Sequence, residues 1–176
     1  TAPAACKMTR QVLLTAKTPV IADADALRIL ADQPDLLRQS SASLIVTPHP
    51  GEMAGLCKKK IPDILKDLRG VAVQFAAQYD LICVLKDAVT VTAGPSGTYL
   101  NTSGCSAMAK GGSGDILTGM IAALAAQGME LQEAAYIGVY LHGLAGEAAA
   151  EQTGSYSVLA GDLLHAIGTV FHKYLA

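Results

Sequence analysis

The sequence has no tryptophan, two phenylalanines and an aromatic content of 5%. Its interior must therefore be filled by aliphatic side chains and alanine, not by stacked rings. Charge is also scarce, at 16% of residues, with 13 Lys plus Arg against 15 Asp plus Glu and a net charge of −2. That balance leaves no basic surplus to neutralise a nucleic-acid backbone, so nucleic acid is not an expected partner. The four cysteines, Cys6, Cys57, Cys83 and Cys105, form no CxxC pair and no Cys/His cluster. This counts against a zinc site or a disulfide framework and fits the reduced thiols of a cytoplasmic protein. No segment approaches the roughly 18 uninterrupted apolar residues of a membrane-spanning helix. The longest candidate, residues 116–129, is broken by Thr118, Gly119, Gln127 and Gly128. The first ten residues lack the charged start and apolar run of a signal peptide. No membrane partner is expected.

What the chain does have is aliphatic and small. Hydrophobic residues make up 51% of 176, with 30 alanines and 17 glycines. This is the size of one domain, or of part of a larger one, with enough apolar surface for a sizeable core. Close packing of helices on strands suits the Ala and Gly content.

Short apolar segments alternate with helical spacing. Residues 19–22 predict a buried strand, followed by Asp23-Ala24-Asp25 and a helix from Ala26. Residues 43–47 predict a second strand, and Pro50 suits the first turn of a short helix carrying Glu52 and Met53. Ile64, Leu68, Val71, Ala72, Phe75 and Tyr79 lie at helical spacing and predict one helix over 61–79. Gly70 weakens it by roughly 1 kcal/mol relative to alanine. Residues 81–85 predict a third strand, and 89–93 and 98–101 a hairpin about Gly94-Pro95-Ser96-Gly97. Three helices are expected near 115–127, 133–152 and 160–174.

This alternation predicts an α/β fold with a mostly parallel sheet covered on both faces. Ligands in such sheets sit beyond the carboxyl ends of the strands. Three polar clusters fall there: Asp23 and Asp25, residues 47–52, and residues 86–90.

The most informative stretch is residues 101–115, a polar glycine-rich loop running into the apolar helix at 115–127. Gly111, Gly112 and Gly114 let backbone approach a ligand, and free N–H groups at a helix start bind anions. Asp115 is the only carboxylate there. A general base for a hydroxyl that attacks phosphate would explain an acid in an anion site. A plain helix cap would also explain it. The loop is neither GxxxxGK[ST] nor a GxGxxG that follows a strand.

Residues 111–124 resemble the signature of ribokinase-like proteins and, more narrowly, of the ADP-dependent NAD(P)H-hydrate dehydratases. Residues 21–27 (IADADAL), 46–53 (VTPHPGEM) and 139–146 (VYLHGLAG) are similar to further motifs of that narrower family. The matches run in order from about residue 19 to the C-terminus. The resemblance implies a ribokinase-like three-layer α/β/α fold. It also implies a repair activity, in which ADP removes water from the hydrate of NADH or NADPH, giving AMP and phosphate. Phosphorylating the hydroxyl makes chemical sense, since water's pKa is about 15.7 and the second pKa of phosphate is about 6. By the same resemblance Asp115 faces the substrate hydroxyl as general base. Gly112 and Gly114 donate N–H groups to the transferring phosphate. Lys86, Asp87, Ala88, Val89 and Thr90 contact the nucleotide, ADP or ATP, and His49 contacts the substrate. Mg²⁺ is expected with the nucleotide, and no dedicated protein metal site.

Other residues carry plainer readings. Asp23 and Asp25 serve as helix caps or as site residues. His142 is read as structural, Lys58-Lys59-Lys60 as a solvated run, and His165 and His172 as surface residues.

Two departures from the family pattern stand out. Asp87 follows Lys86 where the family usually has glycine, adding a negative charge near the expected phosphates. The family's upstream strands are missing, and a helix near 9–16 comes first. The whole chain, 1–176, is therefore expected to be the C-terminal part of one ribokinase-like domain. An apolar sheet edge would then call for homo-oligomerisation or association with the missing N-terminal half. Two rival readings remain: a ribokinase-like kinase of a sugar, hydroxymethylpyrimidine or thiazole alcohol, and a non-catalytic nucleotide-binding fragment.

Overall fold

The computed structural model describes residues 2–175, which form two compact units, 2–100 and 101–175. The first unit holds a five-stranded sheet of order β1 (Val20–Ala22), β2 (Leu44–Val46), β3 (Ile82–Leu85), β4 (Val91–Gly94) and β5 (Gly97–Leu100). β1, β2 and β3 are parallel, with Ile21 opposite Ile45 and Val46 opposite Cys83. β3, β4 and β5 are antiparallel, with Val84 opposite Thr92 and Ala93 opposite Thr98. The α/β class is as expected, and within it the sheet is mixed. The reason is covalent: the turn at 94–97 is too short for a crossover, so it returns β5 beside β4.

Helices α1 (Pro3–Thr15), α2 (Asp25–Asp32), α3 (Asp35–Gln39), α4 (Pro50–Cys57), α5 (Ile61–Lys66) and α6 (Leu68–Tyr79) complete this unit. The core joins Val46, Cys83, Leu85 and Ala93 of the sheet to Leu30, Met53 and Phe75 of the helices. Ile45, Val84 and Thr92, which alternate with these along the strands, are also buried. The central strands are thus apolar and covered on both faces, as parallel strands require. Each fully buried aliphatic side chain contributes about 1.5–3 kcal/mol.

The helix expected over 61–79 is two helices. Asp67 leaves the helical conformation at φ −151° and ψ 68°, and its carboxylate accepts the Gly70 N–H at 2.8 Å. The aspartate caps a new helix instead of continuing the old one, as short polar side chains do. α1 is longer than the expected 9–16, and α3 is too short to show as a periodic pattern.

The second unit contains a 3₁₀ turn (Ser106–Met108) and three helices, α7 (Ser113–Ala126), α8 (Leu131–Thr153) and α9 (Ala160–Leu175). Its core is small and aliphatic, with Met120, Leu124, Leu141, Ala145, Leu163 and Val170 among its members. Among the described residues, no helix is long and apolar enough to cross a membrane.

Candidate active site

In the first unit, the carboxyl ends of the three parallel strands bring the three expected loops together. Thr47 N–H donates to Ala22 O at 3.2 Å, and Lys86 N–H donates to Pro48 O at 2.8 Å. These bonds extend the β1–β2 and β2–β3 ladders past the strand ends, so residues 22–25, 47–50 and 86–90 leave the sheet side by side. Lys86 then reaches across to Asp23, with Nζ at 3.0 Å from Oδ1 and 3.2 Å from Oδ2. Their side chains are 21% and 13% exposed, enough screening from water to make the pair count. Asp23 Oδ1 also accepts the Ala24 N–H at 2.9 Å. Ala24 has φ 50° and ψ −121°, a conformation that favours glycine and costs an L-residue of order 1–3 kcal/mol. The two aspartates therefore separate. Asp23 belongs to the sheet-edge cluster, whereas Asp25 opens α2 and makes an exposed 3.5 Å contact with Arg28.

The rest of the 86–90 loop is open. Asp87, Ala88 and Val89 are exposed and Thr90 is half-buried. The Asp87 carboxylate stands in solvent, not in the Lys86–Asp23 pair.

His49 occupies the N-cap of α4, with Pro50 at the first helical position. Its Nδ1 accepts from Gly51 N–H at 3.0 Å and Glu52 N–H at 3.3 Å, while Glu52 Oε2 accepts the His49 N–H at 2.9 Å. This is a capping box with histidine in place of serine. Accepting at Nδ1 puts the ring proton on Nε2, which faces Glu52 Oε1 at 3.4 Å. The ring is 56% exposed, so it can meet a ligand while it caps.

In the second unit, Gly112 is the N-cap of α7 at φ 89°, a conformation that only glycine adopts without strain. Asp115 lies in the first turn, exposed. Among the described residues its carboxylate makes no hydrogen bond or ion pair, so it does not cap the helix. Gly111 is exposed and Gly114 half-buried. The Ser113 N–H at the start of α7 donates to Lys110 O at 3.3 Å, while the half-buried Gly114 and the exposed Asp115 complete the first turn at the positive end of the helix dipole.

Sequence reasoning passes over two contacts. One is the Lys86–Asp23 pair, whose partners are 63 residues apart. The other is Ser113 Oγ to His142 Nε2, at 3.3 Å and buried. The structural reading of His142 gains a buried polar partner, and nothing in its spacing points to Ser113. Lys58 is exposed but not merely solvated, since its Nζ donates to Ala31 O at 2.6 Å. His165 and His172 are exposed, as expected.

The parallel strands with polar loops at one end, and the glycine-capped helix with an aspartate in its first turn, define a ribokinase-like α/β protein. A ribokinase-like superfamily protein from Enterococcus faecalis is similar over 99% of this chain and 60% of its own, with TM-score 0.85 and 26% identity. The model of the NAD(P)H-hydrate dehydratase family matches residues 2–169, and the chain belongs to that family. It is 43% identical over 163 residues to the bifunctional NAD(P)H-hydrate repair enzyme Nnr of Moorella thermoacetica, covering 92% of this chain and 31% of that protein. It is 38% identical to the ADP-dependent (S)-NAD(P)H-hydrate dehydratase of Neisseria meningitidis, covering 82% of this chain and 50% of the relative. The ADP/ATP-dependent NAD(P)H-hydrate dehydratase of Bacillus subtilis, co-crystallised with ATP/Mg²⁺, superposes with TM-score 0.80 at 34% identity, over 92% of this chain and 57% of that one. The chain thus spans about a third to a half of the length of these curated relatives.

Proposed function

We propose that residues 1–176 form the C-terminal part of a single ribokinase-like domain that dehydrates NADH or NADPH hydrate at the expense of ADP. The observation that supports this reading is Asp115, exposed and without a side-chain partner in the first turn of a glycine-capped helix. An exposed first-turn carboxylate gains from the helix dipole, and with no hydrogen-bond partner to hold it, it also suits proton removal from an attacking hydroxyl.

In this reading the hydrate hydroxyl attacks the β-phosphorus of ADP and gives its proton to Asp115. The bond to the AMP oxygen breaks, and AMP leaves with that electron pair. The phosphorylated carbon then loses phosphate with the C–O electrons while the adjacent ring carbon loses a proton, restoring the double bond. The sum is hydrate plus ADP giving NAD(P)H, AMP and phosphate. Gly112 and Gly114 N–H groups stabilise the charge on the transferring phosphoryl group. Residues 86–90, led by Lys86, hold the nucleotide, and the exposed Nε2 edge of His49 meets the hydrate.

Magnesium bound with the nucleotide supplies neutralisation of phosphate charge. Among the described residues no three His, Cys, Asp or Glu side chains gather into a metal cage. Mg²⁺ usually keeps several waters and is bound mainly through substrate phosphates and one or two carboxylates, so this reading asks for no protein metal cage.

The test is recovery of 340 nm absorbance from NADH hydrate with ADP and Mg²⁺, on this chain and on a form extended upstream. ADP-dependent recovery that Asp115→Asn lowers by about a thousandfold or more supports the reading. Phosphorylation of a small alcohol from ATP without recovery would replace it with a kinase. Nucleotide binding without turnover in either form would leave a binding fragment.

A further inference from the structure

We infer that His142 is a positioning residue for the phosphoryl-transfer end of α7, acting through the hydroxyl of Ser113. The inference rests on the proposed role of Asp115, and its test separates the two. Ser113 and His142 are 8% and 7% exposed, and their side chains meet at 3.3 Å between α7 and α8, helices that also bury Met120, Leu124, Leu141 and Ala145. Polar groups buried this deeply are tolerated only when partnered, and this contact supplies one partner to each. An aliphatic pair of similar volume would fill the space at no greater cost. What the polar pair adds is direction, since a hydrogen bond fixes the rotation of a helix turn where apolar packing permits sliding.

That rotation matters because of register. Ser113 is the first residue of α7 and Asp115 the third. At 3.6 residues per turn, two positions advance about 200° around the helix. Anchoring Ser113 inward on His142 therefore turns Asp115 outward, where it is found exposed. The same anchor sets the first-turn N–H groups, including that of Gly114.

α8 holds the preceding loop in the same way. The Ser103 hydroxyl donates to Tyr140 O at 2.7 Å, and Gly104 N–H donates to Glu147 Oε1 at 2.7 Å. The loop lies against Gly143, where a β-carbon would collide with Ser103. Residues 140–147 thus act as a template for residues 103–113, with His142 holding the end of that stretch where α7 begins. This gives the VYLHGLAG motif a task that its sequence alone does not suggest.

The test is a double-mutant cycle on Ser113→Ala and His142→Ala, with Ser113→Thr and His142→Gln as conservative partners. Thermal melts fix a temperature at which every variant compared is folded. Each alanine variant should lower kcat for hydrate dehydration about tenfold, and the double variant no further than either single one. Threonine at position 113 keeps the hydroxyl and glutamine at position 142 keeps a side-chain nitrogen, so both conservative variants should recover most of the rate. Unchanged kcat in folded variants, losses that multiply to about a hundredfold, or no recovery by the conservative pair would overturn the inference. If His142→Ala does not fold, Ser113→Ala against His142→Gln decides. If neither the chain nor its upstream-extended form shows dehydration, the proposed function has failed on its own. The pair is then judged by calorimetric ADP affinity, which should fall equally and non-additively in the same variants. Independent or absent effects there would sink it.

Discussion

Lys86, at the end of β3, closes on Asp23, at the end of β1, across the intervening β2, with Nζ 3.0 Å from the nearer carboxylate oxygen. The two side chains are mostly shielded from water, so breaking the pair leaves a charge poorly solvated. Asp23→Asn and Lys86→Met should each lower stability by about 1–2 kcal/mol in urea unfolding, and the double variant should regain part of that loss. Additive losses would mean that the pair contributes nothing as a pair. The two variants should differ in binding: Lys86→Met should weaken ADP about tenfold by calorimetry, whereas Asp23→Asn should not exceed that loss. Unaltered ADP affinity in Lys86→Met would remove residues 86–90 from the nucleotide site.

His49 does two jobs in the proposed site, and asparagine separates them. The ring caps α4 through Nδ1, with Glu52 completing the box. His49→Ala should therefore cost about 1 kcal/mol of stability, the usual loss of an N-cap. Asparagine is a strong cap, so His49→Asn should melt close to wild type. It lacks the Nε2 edge, and the KM for the hydrate should rise severalfold. A normal KM in a folded His49→Asn protein would confine His49 to capping.

The cysteines give a prediction about pH. Burial pushes the Cys83 thiol well above its ordinary 9.0, and the nearby Cys57 adds to the rise. Cys57 is itself raised by burial, with Lys59 pulling the other way. A raised folded pKa means that the unfolded chain gives up its protons first. Stability is therefore fully present below about pH 9 and falls as pH climbs above it, by at most about 1.4 kcal/mol per pH unit for one thiol. Urea midpoints between pH 8 and 10.5 should show the decline, and Cys83→Ala should flatten it. The same burial should keep Cys83 from alkylating until the protein unfolds.

Much of this was legible in the sequence because it depended on local pattern. Residues 81–85 are apolar throughout, and a run this short and rich in branched residues suits a strand covered on both faces. Pro50 announced the start of α4, and the Gly94–Gly97 turn announced the hairpin. The carboxyl-end loops followed from the parallel order of β1 to β3. What could not be read were contacts between distant positions: Lys86 with Asp23, and Ser113 with His142. Each depends on side-chain reach after folding, and neither leaves a spacing to detect. The rotation of Asp115 away from any partner belongs to the same class, since the sequence allowed it equally to be a cap.

The break between α5 and α6 shows how a polar side chain overrides periodicity, and it gives a prediction against helix propensity. Residues 61–79 hold a helical apolar spacing, yet Asp67 turns out of the helix to accept the Gly70 N–H at 2.8 Å. By propensity, alanine at 70 should stabilise a helix by roughly 1 kcal/mol over glycine. Here a β-carbon at position 70 would collide with the Asp67 carboxylate that caps the helix. Gly70→Ala should therefore displace the cap and destabilise the chain by about 1 kcal/mol, the usual worth of an N-cap. Asp67→Ala in the same background should remove the collision, so Gly70→Ala should become neutral or stabilising. Urea unfolding of the four proteins checks both signs. A stabilising Gly70→Ala in the presence of Asp67 would show that the carboxylate moves aside freely, and that the break after Lys66 is held by something other than this cap.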